Sequence, residues 1–232
     1  MFSTKLLDLP HLPYMEALEL MRRLVDQKRR FPFPEVLILL EHEPVLTMGR
    51  RAGESDILAP AALLAEKGIQ VHKVERGGLI TYHGPGQLVA YPIFNLRTMG
   101  LPVPKLVYGL EEIILHTLSE FGIVAEREAG KRGVWVEKEK IASIGVAVRG
   151  GVSFHGLALN YDPDLAHFDL INPCGLSGVR MTSMRKLLGR PINPSDLRSK
   201  VAGHFSRQFK LELKEWNNKI SVSSVKSVPK FL

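Results

Sequence analysis

The order of helix-like and strand-like segments constrains the fold of this chain more than any other feature. Two amphipathic stretches, residues 13–30 and 104–121, enclose a block of β character. In the first, Tyr14, Leu18, Met21 and Val25 recur at helical steps, and Lys28, Arg29 and Arg30 gather at the negative pole of the helix dipole. In the second, Leu106, Leu110, Ile113, Ile114, Leu118 and Phe121 share a face, and Gly122 ends it. Between them, residues 35–41, 45–48, 69–74, 79–82 and 87–94 read as strands, with a short helix at 60–67. Beyond lie strands at 133–136, 141–148 and 152–160, a long loop at 162–178, and helices at 182–188 and 195–209. Helices and strands do not alternate one for one, which disfavours a doubly wound parallel sheet. The expected class is α+β, a mixed β-sheet flanked by helices. A single domain is expected over 1–232, with its core at about 10–210 and a tail at 211–232.

With 45% hydrophobic and 24% charged residues, the chain can bury a sizeable core. A net charge of +7 favours acidic partners without choosing among them. The basic runs, Lys28-Arg29-Arg30 and Arg50-Arg51, are too short for a nucleic-acid tail, so nucleic acid is not an expected partner. One cysteine excludes an internal disulfide and a thiolate metal cluster. No two histidines have helix-face spacing, so no metal is expected. No apolar run is long enough to span a bilayer, and residues 1–8 lack the apolar region of a signal peptide. The expected location is cytoplasmic, with no membrane partner.

Four segments carry chemistry. The densest runs Arg76-Gly77-Gly78-Leu79-Ile80-Thr81-Tyr82-His83-Gly84-Pro85-Gly86-Gln87-Leu88. Its glycine pairs permit close backbone approach to a ligand, and it fits neither a P-loop nor a Rossmann fingerprint. Lys140-Ile141-Ala142-Ser143-Ile144-Gly145 starts an apolar strand with a lysine, which in such a setting can shuttle protons. Ser153-Phe154-His155-Gly156-Leu157-Ala158-Leu159-Asn160 alternates imperfectly and is small-residued at its centre, as suits the wall of a narrow slot. In Ile171-Asn172-Pro173-Cys174-Gly175-Leu176 the lone cysteine sits in a Pro/Gly loop, a poor setting for packing and a good one for a nucleophile. A thiolate needs a base or cation nearby; His83, His155 and Lys140 are candidates, and spacing does not choose among them.

Together the four segments resemble the lipoyl(octanoyl) transferases of the biotin/lipoate protein ligase superfamily. That family's pattern runs RGG-x-x-T-Y-H-G-P-G-Q-L-V-x-Y-P, then K-I-A-x-x-G, then H-G-x-A-L-N, then P-C-G. The resemblance implies a mixed-sheet fold and a dyad in which Cys174 carries the acyl group as a thioester and Lys140 takes the thiol proton. It implies an acyl pocket lined by Arg76, Gly77, Gly78, Leu79, Ile80, Thr81, Tyr82 and His83, with Ser143, Ile144, Gly145, His155, Gly156, Leu157 and Ala158 completing it. The implied donor is octanoyl-acyl carrier protein. The implied acceptors are lipoyl domains of 2-oxoacid dehydrogenase complexes and the glycine cleavage H protein, and no cofactor is needed. Leu79 replaces a common polar residue and Leu157 a frequent phenylalanine, which bears on pocket shape. Competing readings are an ATP-dependent lipoate or biotin ligase, an amidotransferase between protein lysines, and a basic binding module.

Overall fold

A computed structural model of the protein describes residues 1–172 and 179–216. The main sheet is built around β2 (Glu35–Leu40), β6 (Gln87–Ile93) and β10 (Val152–Asn160), every residue of which is buried. Strands covered on both faces read as near-continuous apolar runs, which is why their sequences stand out. β1 (Phe2–Asp8) and β12 (Leu211–Glu215) extend the sheet on one side, and β9 (Glu139–Arg149), β8 (Lys131–Val136) and β7 (Glu126–Glu128) on the other. The order is β12-β1-β2-β6-β10-β9-β8-β7. β1 pairs in parallel with β2 and β12, and the remaining neighbours along that path are antiparallel, so the sheet is mixed. The strand β1 and the edge strand β12 come from residues outside the 10–210 span expected of the core.

α1 (Tyr14–Arg30) covers one face, burying Leu18, Met21, Leu24 and Val25 against β-strand residues including Ile38, Val89 and Phe154. At its end Lys28 turns inward: its Nζ lies 3.0 Å from Glu35 Oε2, and Glu35 also accepts the Asn95 N–H. α3 (Val103–Glu120) and α5 (Pro194–Phe209) cover the other face through Leu106, Leu110, Ile114, Leu197, Val201 and Phe205. A second sheet, β4 (Gln70–Lys73), β3 (Val45–Met48) and β5 (Ile80–His83), in the order β4-β3-β5, lies beside the first. It packs with α2 (Ala61–Glu66) and a 3-10 turn at Leu165–Leu170 around Leu46, Leu64, Tyr82 and Phe168. β11 (Arg180–Met181) pairs with β9, and α4 (Met184–Leu188) follows it. Among the described residues no helix is long and apolar enough to cross a membrane.

One irregularity creates the site. β8 pairs with β9 only from Glu139 to Ala142. Beyond it, Ser143 to Val146 of β9 have β10 on one side only, and the Gly77 N–H bonds the Val146 carbonyl at 2.9 Å. The separation of β8 from the 76–79 segment leaves a slot over β9.

Candidate active site

A cavity of about 780 Å³ occupies this slot. Its walls include Arg76, Gly77, Gly78, Leu79, Ile80, Thr81 and His83 from the first motif, Lys140, Ser143, Ile144 and Gly145 from the second, and His155, Gly156, Leu157 and Ala158 from the third. Three segments far apart in sequence therefore meet at one opening. Pro173, Cys174 and Gly175 lie outside the described residues.

Tyr82 is not among the lining residues. Alternation along β5 turns it away from the side of His83, so it packs edge-on against Phe168, and its hydroxyl meets His167 Nδ1 at 2.9 Å. Burial, with Asp164 nearby, pushes its phenol up to about 12.

Arg76 lines the cavity, and its guanidinium is tied to the second sheet. It is 7% exposed and donates to the Thr47 carbonyl, to Thr47 Oγ1 (2.9 Å from Nη2) and to the Gly77 carbonyl (3.2 Å). These bonds fix the bend that brings Gly77 and Gly78 onto β9.

The histidines occupy a buried polar layer. Gln87 donates from Nε2 to the Tyr82 carbonyl and to Asn160 Oδ1 (2.8 Å), so its Oε1 accepts from His83 Nδ1 at 2.6 Å. Asn160 in turn donates to the Thr182 carbonyl at 3.1 Å, and the Thr182 N–H donates to the Lys140 carbonyl at 2.9 Å. This chain ties all three motifs into one unit. Burial, reinforced by His42, pushes His83 well below the usual imidazole range and keeps it neutral. His42 donates from Nδ1 to the Leu12 carbonyl (2.7 Å), so its Nε2 accepts from Tyr91 Oη at 2.8 Å. Burial also lowers His42, to about 4.

His155 has φ +57°, a conformation rare for a side-chain-bearing residue inside a strand and a local strain. The left-handed turn breaks the alternation and stacks its ring on that of Phe154, with centroids 4.8 Å apart. Its Nε2 lies 3.9 Å from Glu75 Oε2, too far for a hydrogen bond. Burial lowers His155, while the facing His155 imidazole and the Arg22 guanidinium hold the Glu75 carboxyl down at about 2. Next to it, Gly156 is required by close approach: a Cβ there would meet the Ala90 carbonyl oxygen at 2.1 Å.

Lys140 is 4% exposed, with its Nζ 5.3 Å from the centroid of the Trp135 ring, a cation–π distance. Trp135 lies opposite it on β8. A Cβ on Gly133 would come within 2.7 Å of Lys140 Cε, so the missing side chain gives the lysine its seat. Lys140 and Val146 are six positions apart on β9, roughly 20 Å at the strand rise. His155 pairs with Val146. His155 and Lys140 thus stand toward opposite ends of the cavity, and His155 is not a neighbour of Lys140.

Arg50, Arg51, Tyr91, Val103, Val107, Lys131, Arg132 and Val146 also line the cavity. For Arg50 and Arg51 the adjacent charges were a visible signal; Val103 and Val107, four apart, lie off the main apolar stripe of α3. Among the described residues, no group of three or more His, Cys, Asp or Glu could hold a metal ion.

Residues 13–206 match the family model described as the lipoyl protein ligase A/B catalytic domain. An octanoyltransferase of Alkaliphilus metalliredigens is 42% identical over 203 residues, 87% of this chain and 93% of that protein. An octanoyltransferase of Syntrophobacter fumaroxidans is 42% identical over 210 residues, 90% of this chain and 92% of the other. Among solved structures, a bi-partite lipoate protein ligase of Thermoplasma acidophilum superposes with a TM-score of 0.73, covering 97% of this chain and 91% of that one. At 15% identity that likeness speaks for the fold.

Proposed function

The chain belongs to the lipoyl protein ligase A/B catalytic domain family, and from that membership we propose that it is an octanoyltransferase serving protein lipoylation. It moves the acyl group from an octanoyl-acyl carrier protein to a lysine on lipoyl domains of 2-oxoacid dehydrogenase complexes and on the glycine cleavage H protein. On this reading the reaction is cytoplasmic. The observation that supports it most is the meeting of three motifs in one elongated cavity with Lys140 toward one end.

Two steps complete the transfer. The Cys174 thiolate attacks the donor's thioester carbonyl; a new C–S bond forms, the old one breaks, and the carrier's thiolate leaves and takes a proton. The ε-amine of the acceptor lysine then attacks the acyl-enzyme, an amide forms, the amine loses a proton, and the Cys174 sulfur departs. Lys140 accepts the thiol proton in the first step and returns one in the second. Thioester exchange is nearly isoenergetic and amide formation is downhill, so the route needs no ATP. The 76–83 segment, Ser143 to Gly145 and Gly156 to Ala158 enclose the acyl chain.

Incubation with octanoyl-acyl carrier protein is expected to add one octanoyl mass to the intact protein, at Cys174. Full transfer activity in Cys174→Ala, or turnover that requires free octanoate and ATP, would overturn the mechanism.

A further inference from the structure

The charge of the cavity walls exceeds anything an octanoyl thioester needs. Of the described lining residues, Arg50, Arg51, Arg76, Lys131, Arg132 and Lys140 are basic and none is acidic. An acyl chain and its thioester are uncharged, so the excess has to answer another part of a substrate. Three of these basic groups have other work: Arg76 is bonded to Thr47, Lys131 pairs with Glu128, and Lys140 lies against Trp135. Arg50, Arg51 and Arg132 are exposed and engage no carboxylate among the described residues.

These three stand on both lips of the slot. On one lip the Arg50 and Arg51 N–H groups bond the Arg76 and Gly78 carbonyls, fixing the loop against the first motif. On the other, Arg132 precedes Gly133 where β8 leaves β9. Like charges around one opening repel unless an anion sits between them. A guanidinium fork matches a phosphate in shape and charge. A slender arm that enters the slot passes between the two lips.

We propose that Arg50, Arg51 and Arg132 form a phosphate subsite that grips the phosphodiester of the donor's thioester-bearing arm. The inference rests on the acyl-transfer reading and adds to it a means of telling an arm-borne donor from a free acyl thioester.

The test compares octanoyl-pantetheine, which is neutral, with octanoyl-4′-phosphopantetheine. Acylation of Cys174 is followed by intact mass, and binding of the two arms without the acyl group by calorimetry. Wild type is expected to favour the phosphorylated donor by about tenfold or more in kcat/KM. In Arg50→Ala/Arg51→Ala and in Arg132→Ala that ratio is expected to fall toward one. A ratio near one in wild type, or an unchanged ratio in the variants, overturns the proposal. If the small donors show no preference while the variants lose turnover on the whole acyl carrier protein, the arginines read an acidic protein surface and the phosphate assignment is wrong. If neither donor acylates Cys174 yet the phosphorylated arm binds in an arginine-dependent way, the transfer reading fails and the subsite stands. Loss of both sinks both.

Discussion

At the scale of single residues, Gly133 has the most dependents. Its φ of +111° lies in the region that L side chains avoid, and a Cβ there would sit 2.4 Å from the Ala142 carbonyl oxygen and 2.7 Å from Lys140 Cε. Gly133→Ala is expected to lower stability by about 1–3 kcal/mol, read as a drop in urea midpoint at unchanged m. It should also displace the lysine and slow alkylation of Cys174 at neutral pH; an alkylation rate and pH profile matching wild type would show that the glycine serves the backbone alone. The sequence motif points to Lys140 without revealing its seat, because Gly133 and Trp135 reach it through strand pairing. Tyr82 is placed by strand geometry in the same way. Contiguity within a motif suggested a shared wall, and the two-residue period of β5 sends Tyr82 to the other side from His83.

At the scale of elements, legibility followed burial. β2, β6 and β10 are buried along their full length and are apolar enough to read directly. β1 buries only Thr4 and Leu7, and β12 only Leu211, so neither carries a strand-like apolar pattern. Their pairing is a tertiary fact, since residues 2–6 align with 211–215 from the far end of the chain. Deleting residues 1–8 removes the partner of both β2 and β12. The expected result is a loss of at least about 3 kcal/mol, from Leu7, the partly buried Leu6 and the ladder bonds, with more light scattering as an apolar edge is exposed. An unchanged urea midpoint would show that β1 is dispensable.

At the scale of the whole molecule, the buried polar layer couples folding to pH. His42, His83 and His155 all titrate below the ordinary imidazole value near 6.5 because burial disfavours their charged forms. The unfolded chain therefore binds more protons than the folded one once the pH falls below about 6.5, so stability is full above that pH and declines beneath it. Glu75, held at about 2, adds a second decline that begins near the ordinary carboxylate range of about 4. Urea midpoints are expected to fall from pH 7 to pH 5 and further toward pH 3; a flat profile from 7 to 5 would mean that the folded protein accepts these protons without penalty. The hydrogen bonds that join the three motifs are thus part of the folded state's dependence on pH. The slot, by contrast, owes its existence to bonds that β8 does not make beyond Ala142. A hollow produced by unsewn strands can be recut by altering the hairpin of β7 and β8, leaving the central strands untouched. Substitutions in that hairpin act at the rim of the sheet, away from the buried β2, β6 and β10.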